Sequence, residues 1–227
     1  GYYVTTNNQV CQLVREPVIN DLGVTLDEKL SFSDHLHAKV NKAYAMIGLI
    51  KRNFKHLSIT AFSLLYKSMV RSHLDYCNSV WAPYKKGDID ELERVQKRAT
   101  KVIPALRCLS YSERLKRCNL TSLAYRRMRG DMIETYKILT GKYDPAAVPL
   151  LVLGSTQSIV TRGNDLRLTK FRPKYDLRKF SFTNRIVNIW NSLPNYVVTA
   201  ETTNTFKNRL DKYWQNQEII YDYKAEI

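Results

Sequence analysis

The spacing of apolar residues changes near residue 32, and this change limits the possible folds strongly. Before it, the segment 9–14 alternates polar and apolar side chains, which is typical of a strand with one covered face. After it, apolar residues recur every three or four positions, which is typical of amphipathic helices. The sequence therefore predicts a mainly α (α+β) fold, with a small N-terminal β-hairpin region followed by helices.

Three strands are expected within residues 1–30. The first covers 2–6, and Asn7 and Asn8 suit a tight hairpin turn because asparagine tolerates positive φ. Pro17 interrupts the pattern after the second strand, and the third covers 18–26. Because three strands alone are marginally stable, we expect them to join a larger sheet or to pack on the helices.

Five helices are expected between residues 33 and 142. In the first, Leu36, Val40, Ala43, Ile47 and Ile50 form one apolar stripe. Helix ends are predicted from N-caps at Ser58, Ser110 and either Thr121 or Ser122, from a start at Gly87 and Asp88, and from stops at Pro104 and Gly141. These signals predict a helical bundle after the strands.

We divide the chain into strands over 1–32, a helical domain over 33–142, a basic loop or linker over 143–181, and a C-terminal helical segment over 182–227. Helices are predicted there over 182–193 and 204–219. The first residue is not Met and no signal-like segment follows it, so we expect a fragment of a longer chain. No apolar run reaches the length of a membrane span, so we expect no membrane partner.

The charge balance indicates a polyanionic partner. The chain holds 36 Lys and Arg against 21 Asp and Glu, a formal net charge of +15. Such an excess of base favours nucleic acid or an anionic membrane surface. The alternative is a solvated basic surface without a specific partner.

The third predicted helix separates its charges along its length. Acidic residues, among them Glu93, fill its first half, and Arg94, Lys97, Arg98 and Lys101 fill its second. These four cations share the face opposite the apolar stripe, where they can follow a phosphate backbone. Complementing the helix dipole explains the same pattern, so both interpretations stay open.

Other cations are grouped elsewhere in the chain. The further candidates for contact with nucleic acid are Lys51, Arg52, Arg126, Arg127, Arg129, Arg162, Arg167, Lys170, Arg172, Lys174, Arg178 and Lys179. Phe171, Tyr175, Phe180 and Phe182 are interleaved with the last of them, which suits phosphate contact combined with stacking on exposed bases. The alternative is that these aromatic residues belong to the core.

The sequence offers no self-contained active site. Polymerase and nuclease chemistry uses clustered carboxylates that hold divalent metals, and the densest acidic group, Asp88, Asp90 and Glu91, lies where a helix start favours acid anyway. Neither a nucleophile elbow nor a glycine-rich phosphate loop is present. The four cysteines and four histidines lack zinc-ligand spacing, so we expect reduced thiols in an intracellular protein and no metal or cofactor in this chain.

Several blocks, in their order along the chain, resemble one family. "DLGVTLDEKLSFSDHLHAKVNKA", "LLYKSMVRSHLDYCNSVWAPY", "IDELERVQKRATKVIP", "SYSERLKRCNLTSLAYRRMRGDMIETYKIL", "SFTNRIVNIWNSLP" and "TFKNRLD" are similar to the C-terminal third of reverse transcriptases from non-LTR retrotransposons, the Jockey-like LINE elements. The likeness covers about residues 15–212.

The resemblance implies a position for each part of the chain. Leu22, Gly23 and Val24 would lie at the primer-grip hairpin that ends the polymerase palm, the helices after them would form the thumb, and the last block would lie beyond it. The aromatic turn over 76–84 would brace two thumb helices. The catalytic aspartates, and the Mg²⁺ they hold in that family, belong to an upstream palm that these residues do not include.

The resemblance also implies a function. The chain would be the non-catalytic C-terminal portion of an RNA-directed DNA polymerase and would bind a template–primer of RNA, DNA or a hybrid through its basic helices. Its other partner would be the palm and fingers of the same polyprotein, in the nucleus or the cytoplasm. The alternative is a domesticated or degenerate remnant that acts as a structural or protein-interaction module.

Overall fold

The computed structural model describes residues 2–6, 9–13, 15–154 and 164–225, and it confirms a mainly α protein with a small β region at the N-terminus. The strands are β1 (Tyr2–Thr6), β2 (Gln9–Leu13), β3 (Val18–Asp21) and β4 (Val24–Asp27). The longer helices are α1 (Ser33–Asn53), α5 (Lys86–Thr100), α7 (Leu123–Leu139), α9 (Phe182–Ser192) and α11 (Thr203–Trp214). Shorter ones are α2 (Ile59–Leu65), α3 (Arg71–Asp75), α4 (Asn78–Trp81), α6 (Tyr111–Arg117), α8 (Asp176–Lys179) and α10 (Asn195–Val198).

The strands form two antiparallel hairpins rather than the three strands expected. β1 pairs with β2 from Tyr2 opposite Leu13 to Thr6 opposite Gln9, while Asn7 and Asn8 lie outside the described residues. The expected single strand over 18–26 is wrong, because the chain reverses at Leu22 and Gly23, whose φ angles are 45° and 81°. Two successive positive φ values match the tight turns of hairpins, and glycine adopts them without a steric penalty.

The predicted serine N-caps are confirmed by their hydrogen bonds, whereas α5 begins at Lys86, just before the start expected at Gly87 and Asp88, and has no side-chain cap from the residues that the structure describes. Ser58 accepts from the backbone N–H of Ala61, and Ser122 accepts from that of Tyr125. Ser110 forms a capping box with Glu113. Each N-cap satisfies an amide that has no partner within its own helix, so these serines fix where α2, α6 and α7 begin.

The described residues pack around two apolar cores. The first contains the whole predicted stripe of α1 together with Phe62, Tyr66 and Trp81. The second is built on Trp190, Phe206 and Trp214. Helix α7 connects the two, because its first residue Leu123 belongs to the first core and its later apolar residues belong to the second.

Candidate nucleic-acid interface

Helices α1 and α5 lie side by side and run in the same direction. Near their starts, Nε2 of His37 lies 3.4 Å from a carboxylate oxygen of Glu91. About two turns further along both helices, the guanidinium of Arg98 lies 5.2 Å from the centre of the Tyr44 ring. The second contact lies seven residues after the first on α1 and also seven residues after it on α5. The two helices therefore run in parallel. The basic ends of the two helices therefore lie at the same end of the pair.

Five of the predicted binding residues are exposed cations in this region. Leu92, Val95 and Ala99 face the core, so the outer side of α5 carries Arg94, Arg98 and, just after the helix, Lys101. The last turn of α1 adds Lys51, which shares a helix face with Tyr44, and its neighbour Arg52. We call Lys51, Arg52, Arg94, Arg98 and Lys101 the α1–α5 basic face.

Lys97, which the sequence grouped with these cations, is engaged elsewhere. Its Nζ donates to the hydroxyl of Tyr223 at 3.1 Å and lies 4.5 Å from the centre of that ring. The Tyr223 hydroxyl donates in turn to Asp90 at 2.7 Å. Burial, and secondly this hydrogen bond to a carboxylate, raise the pKa of Tyr223 to about 12. Lys97 thus fastens the C-terminal tail to α5 instead of facing solvent with its neighbours.

The structure corrects the prediction that three arginines of α7 face outward to bind nucleic acid. Arg126 pairs with Asp75 at 2.8 Å, and Arg129 makes two hydrogen bonds to Asp211 at 2.6 and 2.8 Å. Arg127 is buried, and burial lowers the pKa of its guanidinium, while the negative charges of Glu93, Asp75 and Asp131 oppose that shift. Arg126 and Arg129 thus join α7 to α3 and α11, and Arg127 is buried, so the three do not form an outward cluster.

Arg185 forms a second internal connection. It bonds both carboxylate oxygens of Asp131, at 2.8 and 2.9 Å, and it donates to the backbone oxygen of Ser79 at 2.7 Å. Burial raises the pKa of Asp131, and the charge of Arg185 opposes that rise. One guanidinium therefore joins α9, α7 and α4.

The basic segment before α9 is more exposed. Lys170, Arg172, Lys174 and Arg178 all face solvent, and Nζ of Lys179 lies 5.1 Å from the centre of the Phe180 ring. Arg167 is partly buried. Arg162 lies outside the described residues.

Many acidic side chains are engaged by cations or by backbone amides, several of them at the surface. Besides the arginine partners, Glu134 pairs with Lys137, Glu28 with Arg15 and Glu91 with His37, while Asp27 and Glu113 accept backbone amides at turns and caps. Each Asp or Glu that is paired with a Lys or Arg adds no net charge. The net charge of +15 is therefore carried by side chains such as those of the α1–α5 basic face.

The proposed primer-grip residues form a hairpin turn that is fastened to the helices. Leu22 is 84% exposed, Gly23 follows it in the turn, and Val24 is buried. The hydroxyl of Tyr76 donates to the oxygen of Leu22 at 2.8 Å, and Lys39 donates to the oxygen of Gly23 at 3.0 Å. Nothing in the local sequence marked Tyr76 and Lys39 as the anchors of this turn.

An apolar cleft of about 900 Å³, which the sequence did not indicate, lies next to the turn over 76–84. Its walls come from the β4–α1 connection, this turn, the end of α7 and the residues around Phe180. Trp81 is buried and donates to the oxygen of Tyr76 at 2.6 Å, while the ring of Tyr84 stacks on Phe180 at 4.5 Å. The aromatic turn thus contacts the segment before α9 as well as the helical bundle.

In the described ranges, no group of three or more His, Cys, Asp or Glu side chains can hold a metal ion. Among the same residues, no helix combines the length and apolar character that crossing a bilayer requires.

The chain is similar to an uncharacterised protein over part of its length. No family model matches the chain, and no solved structure matches it. An uncharacterised protein of Caenorhabditis elegans is 29% identical to it over 129 residues, which are 55% of this chain and 65% of that protein. The match spans less than two thirds of the relative's length.

Proposed function

We propose that this chain is a non-catalytic portion of a retroelement RNA-directed DNA polymerase and that its α1–α5 basic face holds a template–primer duplex by the backbone. The observation that carries the binding proposal is the collection of exposed cations on two parallel helices, while acidic groups nearby are engaged inside the molecule. The order of the sequence blocks quoted above supports the polymerase part of the proposal.

The geometry favours contact with phosphates over a role for the helix dipole alone. The dipole acts within the last turn of a helix, and Arg94 lies in the middle of α5. Lys51 and Arg52 lie in the last turn of α1 and Arg98 lies in that of α5, where the dipole also favours cations, so Arg94 carries the distinction. Such cations neutralise phosphates without reading bases, so binding should be independent of sequence and should weaken as salt rises.

A salt titration tests the proposal. We expect log K for a labelled hybrid duplex to fall with log salt, by about 0.9 for each phosphate neutralised on a B-form duplex. Replacing Arg94, Arg98 and Lys101 together by Gln should make the slope shallower, by the contribution of up to about three phosphate contacts. The matched control replaces Lys29, Lys142 and Lys212 by Gln, which removes the same charge from exposed positions away from this face.

Two results would contradict the proposal. If both triple variants changed the slope equally, the overall charge and not this face would drive binding. If the α5 variant kept the wild-type slope but melted at a lower temperature, these cations would serve the helix dipole.

A protein-interaction module is the second candidate function, and the apolar cleft of about 900 Å³ favours it. Within the first proposal, the protein partner is the upstream palm and fingers, and the chain acts in the nucleus or the cytoplasm. Absence of any binding to duplex at low salt would leave the interaction module as the better interpretation.

A further inference from the structure

The segment 170–178 is held at both ends and has no helix or strand over residues 170–175. At its start, Asn191 bonds both the backbone N–H and the backbone oxygen of Leu168, at 2.8 and 2.9 Å. At its end, the oxygen of Arg178 accepts from Asn184 and Ser181, at 2.6 and 2.8 Å. Helix α9 therefore fixes where the segment begins and ends, while its middle lies on the surface.

The four aromatic residues near this segment divide into two kinds. Phe180 stacks on Tyr84, and Phe182 lies under the guanidinium of Arg185 at 5.5 Å, so both have partners in the protein. Phe171 is 54% exposed and Tyr175 is 77% exposed. The second pair presents ring surface to solvent that stacking on another flat group would bury.

Cations alternate with the two exposed rings. Lys170 and Arg172 flank Phe171, Lys174 precedes Tyr175, and all three side chains are exposed. None of them takes part in an ion pair among the described residues. The surface therefore offers positive charge and ring faces at short, regular intervals.

A small pocket lies against one of these rings. Its volume is about 250 Å³, and Phe171, Arg178, Thr183, Asn184 and Val187 are among its lining residues. It is smaller than the pockets of about 300 Å³ or more that take drug-sized ligands, so its size suits a single ring system. Phe171 supplies an aromatic surface, and the Thr183 hydroxyl and the side-chain oxygen of Asn184 supply polar groups for the edge of a base, while the Asn184 amide nitrogen donates to Arg178 and Ser181.

We infer that the segment 170–178 binds a single-stranded stretch of nucleic acid, by stacking unpaired bases on Phe171 and Tyr175 and by holding phosphates with the adjacent cations. Bases in a duplex cover one another's faces, whereas an unpaired base leaves its face open to an aromatic side chain. The inference rests on the proposed function, because it assigns the single-stranded template beyond the duplex to a second site.

The test compares a blunt hybrid duplex with the same duplex carrying a single-stranded overhang of about ten nucleotides, which is within the usual site size for such binding. Fluorescence anisotropy gives the affinity of wild type, of the Phe171→Ala/Tyr175→Ala variant, and of Tyr196→Ala, which removes another exposed ring. Overhangs of RNA and of DNA are measured separately. Melting curves verify that each variant is folded.

We expect wild type to prefer the overhang substrate and the double variant to lose that preference. The expected loss is about fivefold or more for each ring removed, with unchanged affinity for the blunt duplex. Tyr196→Ala and a Phe171→Trp/Tyr175→Trp variant should retain the preference. Heparin, a polyanion without bases, should bind the double alanine variant as well as it binds wild type.

The possible failures are distinguishable. Equal affinity of wild type for blunt and overhang duplexes would overturn the single-strand inference and leave the duplex proposal intact. Loss of heparin binding in the double alanine variant would also overturn it, because the rings would then act through fold or charge. Failure of wild type to bind any of the nucleic acids would overturn both proposals.

Discussion

His35 joins the β3–β4 hairpin to the helices through one buried ring. The backbone N–H of Thr25 in β4 donates to Nδ1 of His35 at 3.0 Å, and the imidazole lies 5.1 Å from the Trp81 ring. The residue is 1% exposed. Because Nδ1 accepts a hydrogen bond, the neutral ring carries its proton on Nε2, which has no partner in the described part of the chain. Burial, with a smaller effect of Lys39, lowers the pKa of His35.

We expect the free energy of unfolding to decrease as the solution is acidified below about pH 6.5. In the unfolded chain His35 binds a proton near that pH. In the native chain it stays neutral until the pH falls to its lowered pKa. Full stability is therefore present above the ordinary pKa and is lost below it. Urea denaturation between about pH 8 and 5 measures this dependence.

His35→Asn supplies the comparison, because its side-chain oxygen can still accept from Thr25 and does not titrate. Its pH dependence should be flatter than that of wild type. His73→Asn is measured beside it, because burial also lowers the pKa of His73 and adds to the wild-type pH dependence with the same sign. A His35→Asn profile parallel to that of wild type would contradict the assignment.

The start of α7 shows that a helix can depend on a carboxylate from elsewhere in the chain. One oxygen of Glu93 accepts from the backbone N–H groups of Leu123 and Ala124, at 2.6 and 3.1 Å, and the other accepts from the Tyr111 hydroxyl at 2.6 Å. Glu93 is fully buried, and burial raises its pKa. Its charge faces the buried Arg127, so α5 both caps α7 and balances its interior cation.

We expect Glu93→Ala to lower the free energy of unfolding by about 3–5 kcal/mol, because it leaves a buried arginine and two amides without compensation. Glu93→Gln should cost less, since its amide oxygen can still accept from the helix start. Chemical denaturation of the three proteins gives the ranking. Equal stability of the alanine and glutamine variants would show that capping contributes nothing here.

The same helices show what the sequence could predict. The stripe from Leu36 to Ile50 and a cap at Thr121 or Ser122 depend on local spacing; the stripe is confirmed, and the structure places the cap at Ser122. Glu93, by contrast, was grouped with acid at a helix start, because no local pattern shows that α6 and α7 enclose it. Arg129 looked available for the same reason, since Asp211 lies 82 positions away.

The chain as a whole depends on contacts between residues distant in sequence. Ser122, the N-cap of α7, donates to the backbone oxygen of Ile219 at 2.5 Å, and Lys97 contacts Tyr223 across 126 positions. The C-terminal residues therefore complete both the second core and the surface of α5. The four-part division of the chain remains a prediction, although α7 contributes to both cores.

We expect the purified chain to show neither polymerase nor nuclease activity with Mg²⁺ or Mn²⁺. Metal-dependent phosphoryl transfer needs converging carboxylates, and Asp90 and Glu93 are engaged by Tyr223 and by α7. Primer extension and nuclease assays measure the outcome. Incorporation of nucleotides that follows the template and disappears when Asp88 or Glu91 is replaced by its amide would contradict this expectation.

The contact made by Arg185 has a consequence for how related sequences can diverge. Losing Asp131 alone would leave an unpaired guanidinium in the interior, and losing Arg185 alone would leave an unpaired carboxylate, so each single change is costly. Replacing both by apolar residues removes the two charges together and is far better tolerated. Inherited variation at these positions should therefore occur in pairs, whereas position 79, which contributes only a backbone oxygen, can vary independently of them.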